Sequence, residues 1–455
     1  MERKLRDRGS WSSKFGFIMA AAGSAIGLGN IWRFPYLTGQ NGGAAFVLVY
    51  LLCVFLIGFP VMLNEFAVGR YTRKNPVGAL KALNPTGYWK WVGGLGVLTG
   101  FVILSYYSVV AGWTVGYLMK ILTGALSQWT TTEVVANSFG HFIASPLNSV
   151  GYLALFILLT MAVVVGGVKG GIERWCKILM PILLGLLILL VVRSVTLPGS
   201  GKGLLFYLKP DFSVISGKTV LMALGQAFFS LSLGMGAMMT YGSYISKEDN
   251  LVTSGFWVCL GDTLIAVLAG LALFPAVFAF GLQPEAGPKL IFIVLPAVFS
   301  KIPAGTGVGA LFFLLLAIAA LTSTVSLLEV VTAYLVDDKG WPRHKAVFSV
   351  GFLSILFGSL SALSQGAVKG LGALPLFNKP FLDLMDMIFG NYSLSFGAFR
   401  LVVFVGWKWG IKKAVEELKM GNPEFPYFGV WAFLIRFVCP LAVAFVLMGM
   451  AFGWI

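Results

Sequence analysis

The stretch AAAGSAIGLGNIWRFP, residues 20–35, decides how the chain folds. It lies in a run apolar enough to cross a membrane, yet it carries Gly23, Gly27 and Gly29, then Asn30, Arg33 and Pro35. Elsewhere the chain writes uninterrupted apolar spans: Ala44 to Leu63 and Ala304 to Leu328 contain no charged residue. Each reaches the roughly 20 residues that an α-helix needs to cross about 30 Å of hydrocarbon. The glycines and the amide at 20–35 therefore mark a helix interrupted inside its span.

Working outward, 58% of the 455 residues are hydrophobic and only 11% are charged, which makes this a polytopic membrane protein. The alternation expected of a lipid-facing β-barrel is absent, so the fold class is an all-α integral membrane bundle, read as one domain over 1–455. No small-residue cleavage site follows the first apolar run, and no removable signal peptide is expected. Cys53, Cys176, Cys259 and Cys439 lie far apart and suggest no disulfide framework. His141 and His344 make no conventional metal cluster, and no HExxH, GxSxG or Walker loop occurs, so no enzyme is expected.

The net charge of +15 reports topology, not a nucleic-acid partner. Lys and Arg cluster before residue 15, at Arg70 to Lys90, Lys169 to Lys177, Lys339 to Lys345 and Lys408 to Lys419, while Gly124 to Asn148 has none. By the positive-inside rule the N-terminus is cytoplasmic. Hydropathy gives eleven spans, near 12–38, 42–70, 88–123, 148–167, 172–193, 219–246, 252–281, 305–336, 343–362, 379–410 and 427–453. The C-terminus is then extracellular and the protein a multi-pass plasma-membrane protein. The segments 194–218 and 282–303 read as outer loops, with IFIVLPAVF in the second a re-entrant or surface hairpin.

The sixth span is interrupted as well, at Ser230-Leu-Ser-Leu-Gly-Met-Gly236. Paired broken spans five apart point to an inverted-repeat transporter with its site near the midplane. The repeats would cover about 11–195 and 215–412, with an added eleventh helix at about 425–454. Backbone unwound in hydrocarbon survives only where it is buried in protein or lines a polar cavity, and there it becomes a ligand. A half-helix N-terminus suits a carboxylate and freed carbonyls suit a cation. Gly23 and Gly27 taken alone also fit a GxxxG packing motif.

GSAIGLGNIWRFPY, then NGGAAF and PVMLNEFAVGR, resembles the start of the neurotransmitter:sodium symporters; GQAFFSLSLGMGAMMTYGSY resembles their sixth helix and ALTSTVSLLE their eighth. Eleven spans resembles the bacterial branch, and within it the transporters of multiple hydrophobic amino acids. The resemblance implies the bacterial leucine-transporter fold, with discontinuous helices 1 and 6, and sodium-coupled uptake. It implies a first sodium site at Ala25, Asn30 (through its amide oxygen), Ser230 and Asp262, and a second at Gly23, Ile26, Ala319, Thr322 and Ser323. The substrate carboxylate would meet Leu28, Gly29 and Tyr107, and the ammonium Ala25, Phe229, Ser230 and Ser232. Ile103, Tyr107, Phe229, Met235, Ser323 and Leu327 would hold the side chain. Arg33 and Asp386 resemble an outer gate, Arg8 and Asp337 an inner one with Trp11 and Tyr244 beside them. Gly171 and Pro181 would let the fifth helix unwind to release sodium.

The chain departs from the leucine-transporter pattern at several of these positions. Met235 replaces a phenylalanine, either as a flexible pocket wall or as ordinary core filling. Asp262 replaces an asparagine and puts a full charge at the first sodium site. Ala266 stands where chloride-independent relatives carry an acid and chloride-dependent ones a serine, leaving Asp262 or Glu65 to supply the charge; chloride is expected to be dispensable. Tyr107 alone would also suit a core tyrosine, and Pro181 a static kink. The expected partners are a small amino acid and the bilayer. Proton coupling through Glu65, Asp262 or Glu329, and an amino-acid receptor that does not transport, are the competing readings.

Overall fold

The computed structural model describes residues 9–281, 290–374, 377–421 and 427–454. Among these, nine helices are long and apolar enough to span a membrane, and a bent pair supplies a tenth. In chain order the spans are α1 (Lys14–Ala25 and Gly29–Gln40), α2 (Ala44–Thr72), α3 (Lys90–Leu122), α4 (Pro146–Val165), α5 (Val168–Val195), α6 (Gly217–Ser230 and Ala237–Gly242), α7 (Leu251–Ala279), α8 (Gly305–Lys339), α9 (Arg343–Leu363), α10 (Phe381–Lys419) and α11 (Phe428–Ala451). The sequence predicts eleven. The difference lies at α6, whose halves of fourteen and six residues are each too short to span and are separated by a six-residue break. No strand forms among the described residues beyond an isolated bridge between Leu374 and Lys379.

Local chemistry sets the helix ends. Ser13 caps α1 by accepting from the Gly16 amide at 3.1 Å, and Ser216 with Thr219 forms a reciprocal cap at the start of α6. Pro60 and Pro440 each follow a wide, π-type turn, Val54–Gly58 and Leu434–Val438. A proline supplies no N–H to the carbonyl four residues back, and the widened turn makes room for its ring.

Burial ranks the helices. In α8, 78% of the apolar window is covered by protein, against 28% in α5 and in α11, so α8 is central and the other two face lipid. α3 packs extensively on α8, and α4 on α9. α1 lies against α7 while α6 lies against α2, an exchange that a two-fold relation between α1–α5 and α6–α10 produces. IFIVLPAVF is buried as two helical turns rather than exposed as a hairpin; Phe292 stacks on Phe139 at 5.2 Å and covers the outer end of α3.

Candidate functional site

Both predicted breaks are present. The first half of α1 ends at Ala25, Ile26 is extended (φ −72°, ψ 113°), and the second half leaves at 52° to the first. Ending a helix in mid-span strips the last-turn carbonyls and the next first-turn amides of helical partners. The Leu28 amide donates to the Tyr107 hydroxyl at 2.9 Å and the Gly27 amide to Asn30 Oδ1 at 3.0 Å. Close approach explains the glycines: a Cβ on Gly27 would stand 2.5 Å from Ser323 Oγ, and one on Gly29 would stand 2.9 Å from the Phe229 ring.

In α6 the break runs through Ser232, Gly234 and Gly236, with φ of 53°, 87° and 78°. Two glycines adopt this left-handed region freely, while Ser232 is strained there by order 1 kcal/mol. Its hydroxyl donates to the Ser24 carbonyl at 2.8 Å, tying the two breaks together. Glu65, fully buried on α2, holds the same loop by accepting from the Gly234 amide at 2.7 Å and the Met239 amide at 3.2 Å.

Between the breaks lies a cavity of about 40 Å³. Of the predicted substrate residues, Ala25, Gly29, Ile103, Tyr107, Phe229, Ser230, Ser232, Met235, Ser323 and Leu327 line it. Leu28 does not, but its amide reaches Tyr107 and its side chain borders the space outside. Sequence reasoning missed Ser24, Ser326 and Leu394, which also line the cavity. Ser326 lies one helical turn after Ser323, a spacing that could have revealed it; Leu394 comes from α10 and carries no local signal.

Two oxygen-rich clusters flank the cavity. In one, the Asn30 amide nitrogen donates to Asp262 Oδ1 at 2.7 Å and to Ser230 Oγ at 3.0 Å. Ser230 Oγ lies 2.9 and 3.0 Å from the two Asp262 oxygens, and Tyr50 reaches Asp262 at 3.3 Å. Asn30 thus turns its nitrogen, not the predicted oxygen, toward this cluster, because a carboxylate attracts a donor and Gly27 claims the oxygen. Ala25 lines the adjoining cavity wall. In the other cluster, Ser323 Oγ donates to the carbonyls of Ile26 at 3.2 Å and Ala319 at 3.3 Å, and Thr322 to Ala319 at 3.0 Å. Gly23 faces Thr322, leaving 3.2 Å between an added Cβ and the threonine Cβ.

Arg33 and Asp386 line a vestibule of about 490 Å³ on the other side of Phe229 and Tyr107. They do not pair. Arg33 bonds Asn391 at 2.9 Å and lies over the Phe229 ring at 4.5 Å, while Asp386 accepts from Tyr106 at 2.9 Å. Asn391, which sequence reasoning missed, is brought to Arg33 by the wide turn Asp386–Ser393.

The opposite side is sealed. The Trp11 indole donates to the Tyr241 carbonyl at 3.0 Å and its amide to the Tyr244 carbonyl at 3.3 Å. Tyr244 in turn donates to Glu329 at 2.8 Å, and Glu329 pairs with Arg343. Asp337 accepts from the Asn75 amide and side chain, both at 3.1 Å; its predicted partner Arg8 lies outside the described residues. From Gly171 through Pro181 the chain is wound, as a wide turn over Val168–Glu173 and then α-helix, so the predicted unwinding is not present in this structure. Glu173, also missed, accepts from the Ser12 amide at 2.7 Å and fastens the N-terminal segment to α5.

A model of the sodium:neurotransmitter symporter family matches residues 8–142 and 142–453. The chain belongs to that family. It is 41% identical over 441 residues to the uncharacterised sodium-dependent transporter YhdH of Bacillus subtilis (strain 168), covering 97% of each chain. An uncharacterised sodium-dependent transporter of Haemophilus influenzae is 37% identical over 454 residues, covering 97% of this chain and 98% of the relative. Among solved structures, MhsT in complex with L-phenylalanine superposes with a TM-score of 0.88 at 44% identity, over 97% of this chain and 100% of that one. Family membership and the helical bundle together make this a multi-pass membrane protein of a sodium-dependent transporter family.

Proposed function

We propose that this symporter-family chain imports neutral hydrophobic L-amino acids, coupled to sodium, by alternating access. The observation that carries the reading is the convergence of two broken helices on one small cavity, with apolar walls and two oxygen clusters at its edge. The substrate carboxylate binds the freed amides of Leu28 and Gly29 with the Tyr107 hydroxyl. The ammonium binds carbonyls at Ala25, Phe229 and Ser230 and the Ser232 hydroxyl. Ile103, Met235 and Leu327 receive the side chain, and L-phenylalanine in the MhsT complex is a ligand of this class.

Two sodium ions accompany it. One takes Ala25, Asn30, Ser230 and Asp262, with the Asn30 amide rotated half a turn so that its oxygen replaces its nitrogen. The other takes Gly23, Ile26, Ala319, Thr322 and Ser323, all neutral oxygens, which replace hydration water without trapping the ion. A substrate carboxylate on the first ion makes each ligand's affinity depend on the other's. Asp262 supplies the fixed negative charge beside Tyr50 and Ser230, and chloride is dispensable.

A cavity of about 40 Å³ holds only a few waters, each needing roughly 10–15 Å³, so substrate binding requires the walls to yield. Phe229 and Tyr107, which separate cavity from vestibule, and the flexible Met235 are the parts that move. Inward release follows when Trp11 leaves Tyr241 and α5 unwinds between Gly171 and Pro181. The basic loops put the N-terminus in the cytoplasm.

Reconstituted liposomes test the transport step. An inward sodium gradient should drive accumulation of labelled leucine and tryptophan, and replacing sodium with potassium should abolish it. Binding without accumulation would make the chain a receptor, and uptake driven by a pH gradient alone would make it proton-coupled.

A further inference from the structure

α11 carries one charged residue, Arg436, and it is exposed on the lipid-facing surface. Its guanidinium lies over the Trp407 ring at 5.0 Å and the Phe437 ring at 5.7 Å. Among the described residues it has no hydrogen-bond or ion-pair partner. It stands eight residues beyond Phe428, about 12 Å along the helix at 1.5 Å per residue. An arginine at that depth is costly unless a polar group of the bilayer reaches it.

The same arginine ends a groove of about 310 Å³ between α10 and α11, otherwise lined by Val403, Trp407, Phe437, Pro440 and Leu441. Lys408, beside Trp407, is exposed, as are Lys412 and Lys413 on the amphipathic segment that follows. No acid on α11 offsets Arg436; on the amphipathic segment Glu417 is committed to Arg70 at 2.6 Å, and Glu416 stands one turn after Lys412 and Lys413. An apolar groove with a cationic end nearest the basic loops matches one molecule in its surroundings: an acidic lipid. A second copy docked here about a two-fold axis would set Arg436 against its own image.

We propose that this groove is a binding site for an anionic phospholipid. One acyl chain lies along Val403, Pro440 and Leu441, and the phosphodiester meets the Arg436 guanidinium and the Lys408 ammonium.

Native mass spectrometry of the detergent-purified protein, with phosphatidylglycerol and phosphatidylcholine added in equal amounts, tests this. The protein should retain phosphatidylglycerol about five-fold more than phosphatidylcholine, the preference expected from one basic residue at a membrane surface. Arg436→Gln should reduce the ratio at least two-fold, the remainder resting on Lys408. Leu441→Trp, which fills the groove and leaves the arginine, should lower lipid retention, so the proposal stays testable if Arg436→Gln does not fold. Equal retention of the two lipids by the unaltered protein, or an unchanged preference in Arg436→Gln, would overturn it. So would dimers that dissociate in Arg436→Gln, which would assign the groove to a second copy.

Discussion

Asp262→Asn removes a charge from the centre of the proposed first sodium site with little change of shape. The side chain is fully buried, and the groups bonded to it are donors: Asn30 at 2.7 Å, Ser230 at 2.9 and 3.0 Å, and Tyr50 at 3.3 Å. Two unit charges 4 Å apart attract by about 4 kcal/mol at an effective dielectric constant of about 20. An asparagine oxygen keeps part of that attraction through its dipole, so a loss of about 2–3 kcal/mol is expected, or roughly 30- to 150-fold in sodium affinity. The assay is the sodium concentration that half-saturates leucine binding to purified protein in chloride-free buffer. Adding chloride should recover part of the loss, because the Ser230 and Tyr50 hydroxyls would then face a position without its fixed anion. A half-saturating concentration within three-fold of the unaltered protein's, with an unchanged melting temperature, would refute the assignment of Asp262.

Three further substitutions probe other parts of the site, and a fourth serves as a control. Gly27→Ala puts a methyl 2.5 Å from Ser323 Oγ and 2.8 Å from the Tyr107 hydroxyl, and should cost about 1–3 kcal/mol with more than ten-fold weaker amino-acid binding. Gly185→Ala, which meets nothing within 4 Å, should leave binding unchanged in the same titration. Trp11→Ala removes the bond to the Tyr241 carbonyl and an edge-on ring contact at 5.3 Å, about 3–5 kcal/mol of inner closure. Cys176, buried behind α1, should then react at least ten-fold faster with a membrane-impermeant maleimide, read by peptide mapping; an unchanged rate would contradict the latch. Met235→Phe should stiffen the cavity wall and weaken tryptophan binding about ten-fold relative to leucine, measured by competition.

The breaks were legible because glycine, serine and asparagine inside an apolar span have no cheaper explanation than exposed backbone, and Gly27 and Gly29 mark where other side chains press closest. The partners of those breaks were less legible. Tyr50 sits in an apolar run and becomes a neighbour of Asp262 only when α2 packs on α7. Asn391 takes Arg33 from Asp386 because a wide turn shifts side chains off the 3.6-residue period that sequence reading assumes. Glu173 looked like one charge in a basic loop; its grip on Ser12 spans 161 residues of chain, and no local pattern encodes it. The segment between Gly171 and Pro181 carries two helix-weakening residues and is wound all the same, since packing on α4 and α1 outweighs local propensity in this state.

The central claim is that one cavity holds ion and substrate together, and its most direct measurement is labelled-leucine binding to the purified protein across a sodium titration, with sodium binding measured in parallel. The account predicts that leucine affinity rises with sodium, that potassium does not substitute, and that leucine raises sodium affinity by the same factor, as linkage requires. Leucine binding indifferent to sodium, or sodium binding indifferent to leucine, would contradict it.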